Sequence, residues 1–364
     1  MLTGPEQLQW RDALFDAFSE QELTDLLLYR LGDRINRYTS ANKPWEAAVG
    51  DLVDAYSRRD KEDQLIAKAV EMRPKNSALI RLASGKRAAV APDDASLERL
   101  IHDSNSFLDL GKWLEAAGRL QVCVCRIEIA VQGGTVYGTG FLIGADLVMT
   151  NWHVVQCISA TEDNDRSYRG PHAKAADATC RFDYKVLSNG TINVGSTVSF
   201  AEDWRVALSP NNPNGQEPQT DQLDCAVIRL SKPLGSLVIG DKPEAQGDRR
   251  GWITLPAAGA APDFKNNSPL FIIQHPQGDP IKLALSTDAI QSVNANRSRV
   301  RYSTNTEGGS SGSPCFDQNW NLIALHHAGD PNFESGHRPG FNEGIPIDTI
   351  VNFLGRRGLT NLGN

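Results

Sequence analysis

Residues 306–314 read Thr306-Glu307-Gly308-Gly309-Ser310-Ser311-Gly312-Ser313-Pro314, and the apolar run Leu322-Ile323-Ala324-Leu325 follows shortly after. Glycine takes positive φ without steric cost. A turn this rich in glycine can therefore aim backbone N–H groups at one point. Those of Gly309 and Ser311 are placed to stabilise a developing oxyanion. A serine hydroxyl is a weak nucleophile until a neighbouring base takes its proton. The stretch therefore predicts a histidine and an orienting carboxylate elsewhere in the chain.

Both are present upstream. Gly138-Thr139-Gly140-Phe141-Leu142-Ile143-Gly144 and Leu147-Val148-Met149-Thr150 read as two strands about a short turn, leading through Asn151-Trp152 into His153. Leu223-Asp224-Cys225-Ala226-Val227-Ile228 reads as an acid at the mouth of a buried strand. Asp221 competes for the role, but the apolar strand begins directly after Asp224. The order His153, Asp224, Ser311 is one of those in which this geometry recurs.

With these three motifs the chain resembles the chymotrypsin-like (trypsin-fold) serine peptidases, and more closely their bacterial branch with Gly-x-Ser-Gly-Ser-Pro, which includes glutamyl endopeptidases. The likeness runs over about residues 119–358. It implies Ser311 as nucleophile, His153 as general base and then acid, Asp224 as the orienting group, and Gly309 and Ser311 as the oxyanion hole. It also implies that Thr306 and His326 bind an acidic substrate side chain, with Asn305 at the base of that pocket, and hence cleavage after Glu or Asp. A carboxylate is held by a histidine and a hydroxyl most strongly when the imidazole is protonated. His327, beside His326, is given no role, and His275, on a turn after a strand, reads as structural. Secreted members carry an aspartate before the nucleophile that pairs with a freshly cut N-terminus. Here Ser310 stands there, so control by recruitment or by a helix shift is expected instead. A degenerate scaffold of the same fold and an esterase on the same triad are the alternatives.

Composition narrows the rest. A chain of 364 residues exceeds one ordinary compact domain. A net charge of −7 offers no basic excess for nucleic acid. No run of about 18 apolar residues suits a membrane span, and Met1-Leu2-Thr3-Gly4-Pro5-Glu6-Gln7 lacks the features of a secretory signal. The six cysteines show no metal-type spacing and read as reduced, buried thiols in a cytoplasmic protein. Neither a metal nor an organic cofactor is expected.

Residues 1–85 read as a bundle of five or six short helices. Thr3 with Glu6, and Ser19 with Glu22, are capping boxes. The stripes are Leu8, Leu14, Phe15, Phe18; then Leu23, Leu26, Leu27, Leu31; then Ala48, Val49, Leu52, Val53, Tyr56; then Leu65, Ile66, Ala69, Val70. The opening Leu2-Thr3-Gly4-Pro5, the helix Glu22–Leu28 and the late Arg73-Pro74-Lys75-Asn76 resemble the effector-associated, death-like adaptor domains of bacterial conflict systems. That resemblance implies a partner protein with a matching domain and a role in defence. Residues 86–118 read as a linker, 86–95, followed by an amphipathic helix that Ser96 would cap. From Val122 the period becomes two. The expected architecture is multidomain, α plus all-β: the helical bundle, then a double six-stranded antiparallel barrel over 119–358. Residues 201–222 read as an exposed polar loop ahead of Asp224.

Overall fold

The computed structural model describes residues 2–40, 42–83, 108–211, 218–240, 247–331, 338–360 and 362. The chain divides into two compact units, Met1–Leu100 and Ile101–Asn364. The expected linker at 86–95 and the cap at Ser96 lie outside the described residues.

The first unit holds α1 (Gly4–Ala17), α2 (Glu20–Arg30), α3 (Trp45–Ser57), α4 (Glu62–Met72) and α5 (Ser77–Ala83). Both capping boxes form: Glu6 accepts the Thr3 N–H at 2.7 Å and Glu22 accepts that of Ser19 at 3.0 Å. These bonds satisfy donors that a helix start otherwise leaves unpaired. Leu14, Leu23, Leu26, Leu27, Val49, Leu52 and Leu65 are fully buried in one core. The stripe expected for the first helix needs correction. Leu8 and Phe15 are exposed, whereas Trp10 and Ala13 are buried with Leu14. At 3.6 residues per turn Leu8 lies about 200° round the helix from Trp10, so the two cannot share a packed face.

The second unit opens with α6 (Leu110–Gln121), which continues past the boundary expected at 118. A closed antiparallel barrel follows. Its strands are β1 (Val124–Val131), β2 (Gly134–Leu142), β3 (Leu147–Thr150), β4 (Ala178–Phe182), β7 (Ser196–Asn211) and β8 (Leu223–Leu230). Their order round the barrel is β1-β2-β3-β8-β7-β4. Helix α7 (Trp152–Glu162) leaves β3 directly, and β5 (Lys185–Val186) with β6 (Ile192–Asn193) forms a small hairpin about Asn189-Gly190. Gly190 has φ +82°, the conformation such a turn demands. Cys125, Ile127 and Ile129 point inward from β1.

The later part is a seven-stranded sheet: β9 (Leu270–Gln274), β10 (Lys282–Ser286), β11 (Ile290–Val293), β12 (Val300–Tyr302), β13 (Pro314–Phe316), β14 (Leu322–Gly329) and β15 (Asn342–Pro346), ending in α8 (Ile347–Arg356). Its order is β10-β9-β13-β14-β15-β12-β11. This half-barrel of seven strands beside the closed barrel is consistent with the expected double-barrel architecture. One expectation is corrected here: residues 201–211 belong to the long strand β7 instead of a loop. Phe200, Trp204, Ala207 and Ser209 are buried along it, and it pairs with β8 up to Asn211↔Leu223. Its bulges between Phe200 and Ala207 break the strict alternation that would have marked it as a strand.

Strand β9 separates two cores. Phe271 and Ile273 face the core shared with the barrel, while Leu270 and Ile272 face a smaller one with Tyr302 and Cys315. Burial on both faces explains its continuous apolar sequence. Among the described residues no helix is long and apolar enough to cross a membrane.

Candidate active site

The site lies where the barrel meets the half-barrel. His153 is the second residue of α7, Asp224 the second residue of β8, and Ser311 stands in the loop just before β13. Asp224 is wholly buried and has φ +63° in a strand whose neighbours Leu223 and Cys225 keep their ladder partners. A left-handed aspartate costs free energy. The contacts it makes hold it there. Its Oδ1 accepts the backbone N–H of His153 at 2.9 Å, and its Oδ2 accepts the imidazole Nδ1–H at 2.6 Å. Asn151 Nδ2 donates to its carbonyl at 3.0 Å. Asp221, the rival carboxylate, is exposed, and among the described residues its carbonyl accepts from Ser209 Oγ at 2.7 Å.

The electrostatics agree with this pairing. Burial alone would push the Asp224 carboxyl up. The charge and hydrogen bond of His153, with a further bond from His327, outweigh it and bring the pKa down to about 2. Burial likewise disfavours the charged imidazole of His153, but the adjacent Asp224 carboxylate prevails and holds it above its ordinary range. The His153 side chain keeps 36% of its surface open, so its far edge stays accessible.

The loop 307–313 is shaped by its own hydrogen bonds and by β2. Ser310 N–H donates to the Glu307 carbonyl at 3.0 Å, Ser313 Oγ donates to the Ser310 carbonyl at 2.6 Å, and Gly312 N–H donates to the His326 carbonyl at 3.0 Å. Thr139 takes the outward carbonyls: its N–H meets Ser311 O at 2.8 Å and its hydroxyl meets Gly309 O at 2.8 Å. Gly309 has φ +91° and Gly312 φ +89°. A Cβ on Gly312 would collide with the Thr139 carbonyl and the Thr150 hydroxyl. The result is a loop whose Gly309 and Ser311 N–H groups have no acceptor among the described residues, as an anion-binding pair requires. Ser311 is half-buried. Among the described residues no hydrogen bond joins its hydroxyl to His153.

The residues assigned to substrate specificity are not grouped so clearly. Thr306 is half-buried and Asn305 exposed, with the Asn305 carbonyl accepting from Gln274 Nε2 at 3.1 Å. His326 is 3% exposed, and its Nδ1 lies 2.7 Å from the buried Tyr302 hydroxyl. Burial pushes its pKa down to about 3, helped by the nearby His327 and His153 and opposed by a bond to the Glu343 backbone. Burial thus keeps this imidazole neutral near pH 7. His275 is buried as expected, its Nδ1 donating to the Asp279 carbonyl at 2.8 Å and its pKa lowered to about 4 by burial.

One site residue escaped the sequence reading. His327 Nδ1 lies 2.6 Å from the same Asp224 Oδ2 that His153 binds. Consecutive strand residues face opposite sides. On β14 His326 points to Tyr302, and the ladder is irregular between His326 and Ala328, where His327 turns to Asp224. All six cysteines are buried and unpaired.

This arrangement defines the class. Residues 138–325, just over half of the chain, match the trypsin-like peptidase domain family, and the chain belongs to that family. Residues 1–87 match effector-associated domain 1. An uncharacterized protein of Sinorhizobium fredii is 28% identical over 257 residues, covering 68% of this chain and 33% of its own length. The glutamyl endopeptidase of Staphylococcus aureus is 22% identical over 232 residues, covering 64% of this chain and 52% of its own. The chain thus spans a third to about half of these relatives. Among solved structures, a Glu endopeptidase aligns with TM-score 0.43 and 17% identity over 67% of this chain and 94% of its own. Deg5 aligns with TM-score 0.41 and 17% identity over 71% of this chain and 99% of its own.

Proposed function

We propose that this protein is a serine endopeptidase in which Ser311, His153 and Asp224 act as a triad. The observation that carries the reading is the two-point grip of buried Asp224 on His153, through backbone N–H and Nδ1–H, together with a glycine turn two of whose N–H groups have no acceptor among the described residues. That grip sets the imidazole tautomer, leaving the lone pair on Nε2 for the serine proton. Ser311 Oγ attacks a peptide carbonyl as His153 takes its proton. The oxyanion rests on the N–H groups of Gly309 and Ser311. The imidazolium then protonates the leaving amine, the C–N bond breaks, and water repeats the sequence on the acyl-enzyme. No metal or cofactor takes part in these steps.

Cleavage after acidic residues is the preferred specificity. Thr306 and His326 occupy the matching motif positions, and relatives named glutamyl endopeptidase support it. His326 with a pKa of about 3 would contribute only as a neutral group. Discrimination of Glu from Gln at the cleavage residue is therefore small and constant between about pH 5 and pH 8. A peptide panel varied only at that residue tests this. Strong preference for Arg or an aromatic would remove the acidic reading, and a Glu preference that grows on acidification would remove the neutral histidine.

The N-terminal unit serves as the adaptor that brings the peptidase to a partner carrying a matching domain, in a cytoplasmic defence system. Support comes from the effector-associated match and from the self-bonded loop at Ser310, which needs no new N-terminus to hold its shape. The deciding experiment is covalent labelling of the full-length protein with a fluorophosphonate. Labelling lost in Ser311→Ala supports the serine mechanism, and wild-type protein that never labels would favour a scaffold.

A further inference from the structure

We infer that His327 is a positioning residue for the triad, one that holds Asp224 from the side opposite His153 and sets how strongly the carboxylate draws on that base. The inference rests on the triad reading above.

A carboxylate ionised down to about pH 2 can only accept hydrogen bonds. The imidazoles 2.6 Å away must therefore both present Nδ1–H to it. The two donors share one oxygen, Oδ2, while Oδ1 is taken by the His153 backbone. The rings themselves stand 6.2 Å apart at 65°, so they flank the carboxylate rather than stack on each other. His327 is buried, at the irregularity of β14 between His326, paired with Gly344, and Ala328, paired with Glu343. It is thus a buried donor aimed at the one group that orients the base.

The consequence is electrostatic. Charge on Oδ2 that satisfies His327 is less available to stabilise the imidazolium of His153. Other charges near His327 are accounted for. Asp224 comes from β8, His153 from α7, and His326 is its neutral neighbour. Across an open cavity stand Arg299, Arg301 and Glu343. Arg299, from the turn into β12, and Arg301 of that strand both pair with Glu343 of β15, at 3.3 and 3.1 Å. The three leave one net positive charge, and Arg299 feels the Asp224 carboxylate, but among the described residues neither arginine donates a hydrogen bond to Oδ2.

Removing the His327 donor therefore has two effects with one origin. Asp224 is less firmly placed, so the proton transfer slows. Its charge also falls more fully on His153, so the imidazole becomes more basic and the acid limb of the rate profile moves to higher pH. Asparagine is the informative replacement, because its amide nitrogen stands where Nδ1 stood.

The test is the second-order rate of fluorophosphonate labelling against pH for full-length wild type, His327→Ala, His327→Leu and His327→Asn, with Ser311→Ala as control. His327→Leu fills the site without a donor and serves if the alanine variant does not fold. The expected result is a plateau rate about tenfold or more lower in the donor-less variants. Their acid limb should rise by about half a pH unit or more, with both effects largely reversed in His327→Asn. An unmoved acid limb, or equal damage in Asn and Leu, would reduce His327 to a packing residue and overturn the inference while leaving the triad standing. Labelling that persists in Ser311→Ala would overturn the triad reading and this inference together.

Discussion

At the scale of single residues, the chain moves the pKa values of its histidines in opposite directions by choosing their neighbours. His275 and His326 have pKa values lowered by burial to about 4 and about 3. An unfolded histidine titrates near 6.5. Between these values the unfolded state binds protons that the folded state refuses. Their contribution to stability is thus complete above about pH 6.5 and is lost as pH falls toward 4. His153 runs the other way: its raised pKa adds stability that is present below the unfolded value and fades as pH rises through the folded one. Two lowered groups against one raised group leave a net loss on acidification. The guanidinium midpoint should be lower at about pH 4.5 than at about pH 7; an equal or higher midpoint would contradict the neutral burial of His275 and His326. Gly312 makes a sharper case. Alanine there meets both the positive φ and the Thr139 carbonyl. Gly312→Ala should abolish fluorophosphonate labelling and lower stability by about 1–3 kcal/mol, read from labelling and thermal melts of one preparation. Retained labelling would mean the loop can be rebuilt without left-handed geometry at that position.

Among the elements, α6 is distinctive because it lies ahead of the barrel and yet packs on the half-barrel. Trp113 meets Phe271 at 6.0 Å and Trp320 at 4.9 Å between ring centroids, and Trp320 Nε1 donates to the Trp113 carbonyl at 3.1 Å. Trp320 also packs on Phe316 at 5.5 Å, and Phe316 ends the strand that begins three residues after Ser311. The helix is thus fastened to the strand that follows the Ser311 loop. Trp113→Ala should destabilise the peptidase unit by about 2–4 kcal/mol, visible as a lower urea midpoint. A midpoint unchanged within error would show that α6 is an ornament on the sheet rather than part of its core.

For the whole molecule, two separate cores imply two folding units. The core around Leu14, Leu27 and Leu52 shares no residue with the core around Ile127, Phe141 and Leu325. Each unit buries its own apolar face, which is the physical requirement for independent folding. A fragment comprising residues 101–364 should unfold cooperatively and label with fluorophosphonate at the full-length rate, since an adaptor that recruits has no need to hold the site shut. A rate raised severalfold in the fragment would instead identify the N-terminal unit as a restraint. A fragment that does not fold would mean the cores depend on each other.

Much of this protein is written locally in its chain. The capping boxes at Thr3 and Ser19 involve partners three residues apart, and both formed as read. The glycines at 309 and 312 need positive φ whatever surrounds them, so the loop about Ser311 was legible from its residues. His153 and Asp224 stood out because each adjoins a strand with an unmistakable apolar pattern. The rest depended on groups far apart in sequence. Which side of α1 is buried follows from the other helices, since Leu8 and Trp10 are equally apolar. The strand at 201–211 was hidden because its bulges disturb the period of two and only the pairing with β8 restores it. His326 meets Tyr302, and His327 reaches Asp224, through contacts spanning 24 and 103 positions. The sequence by itself thus determined the glycine-rich loop about Ser311, the strands beside His153 and Asp224 and the succession of helical and β regions, because those rest on local geometry and short-range periodicity. Only the tertiary structure decided that two histidines share the Asp224 carboxylate and that His326 is buried neutral, because desolvation and charge sharing exist only once distant strands are packed together.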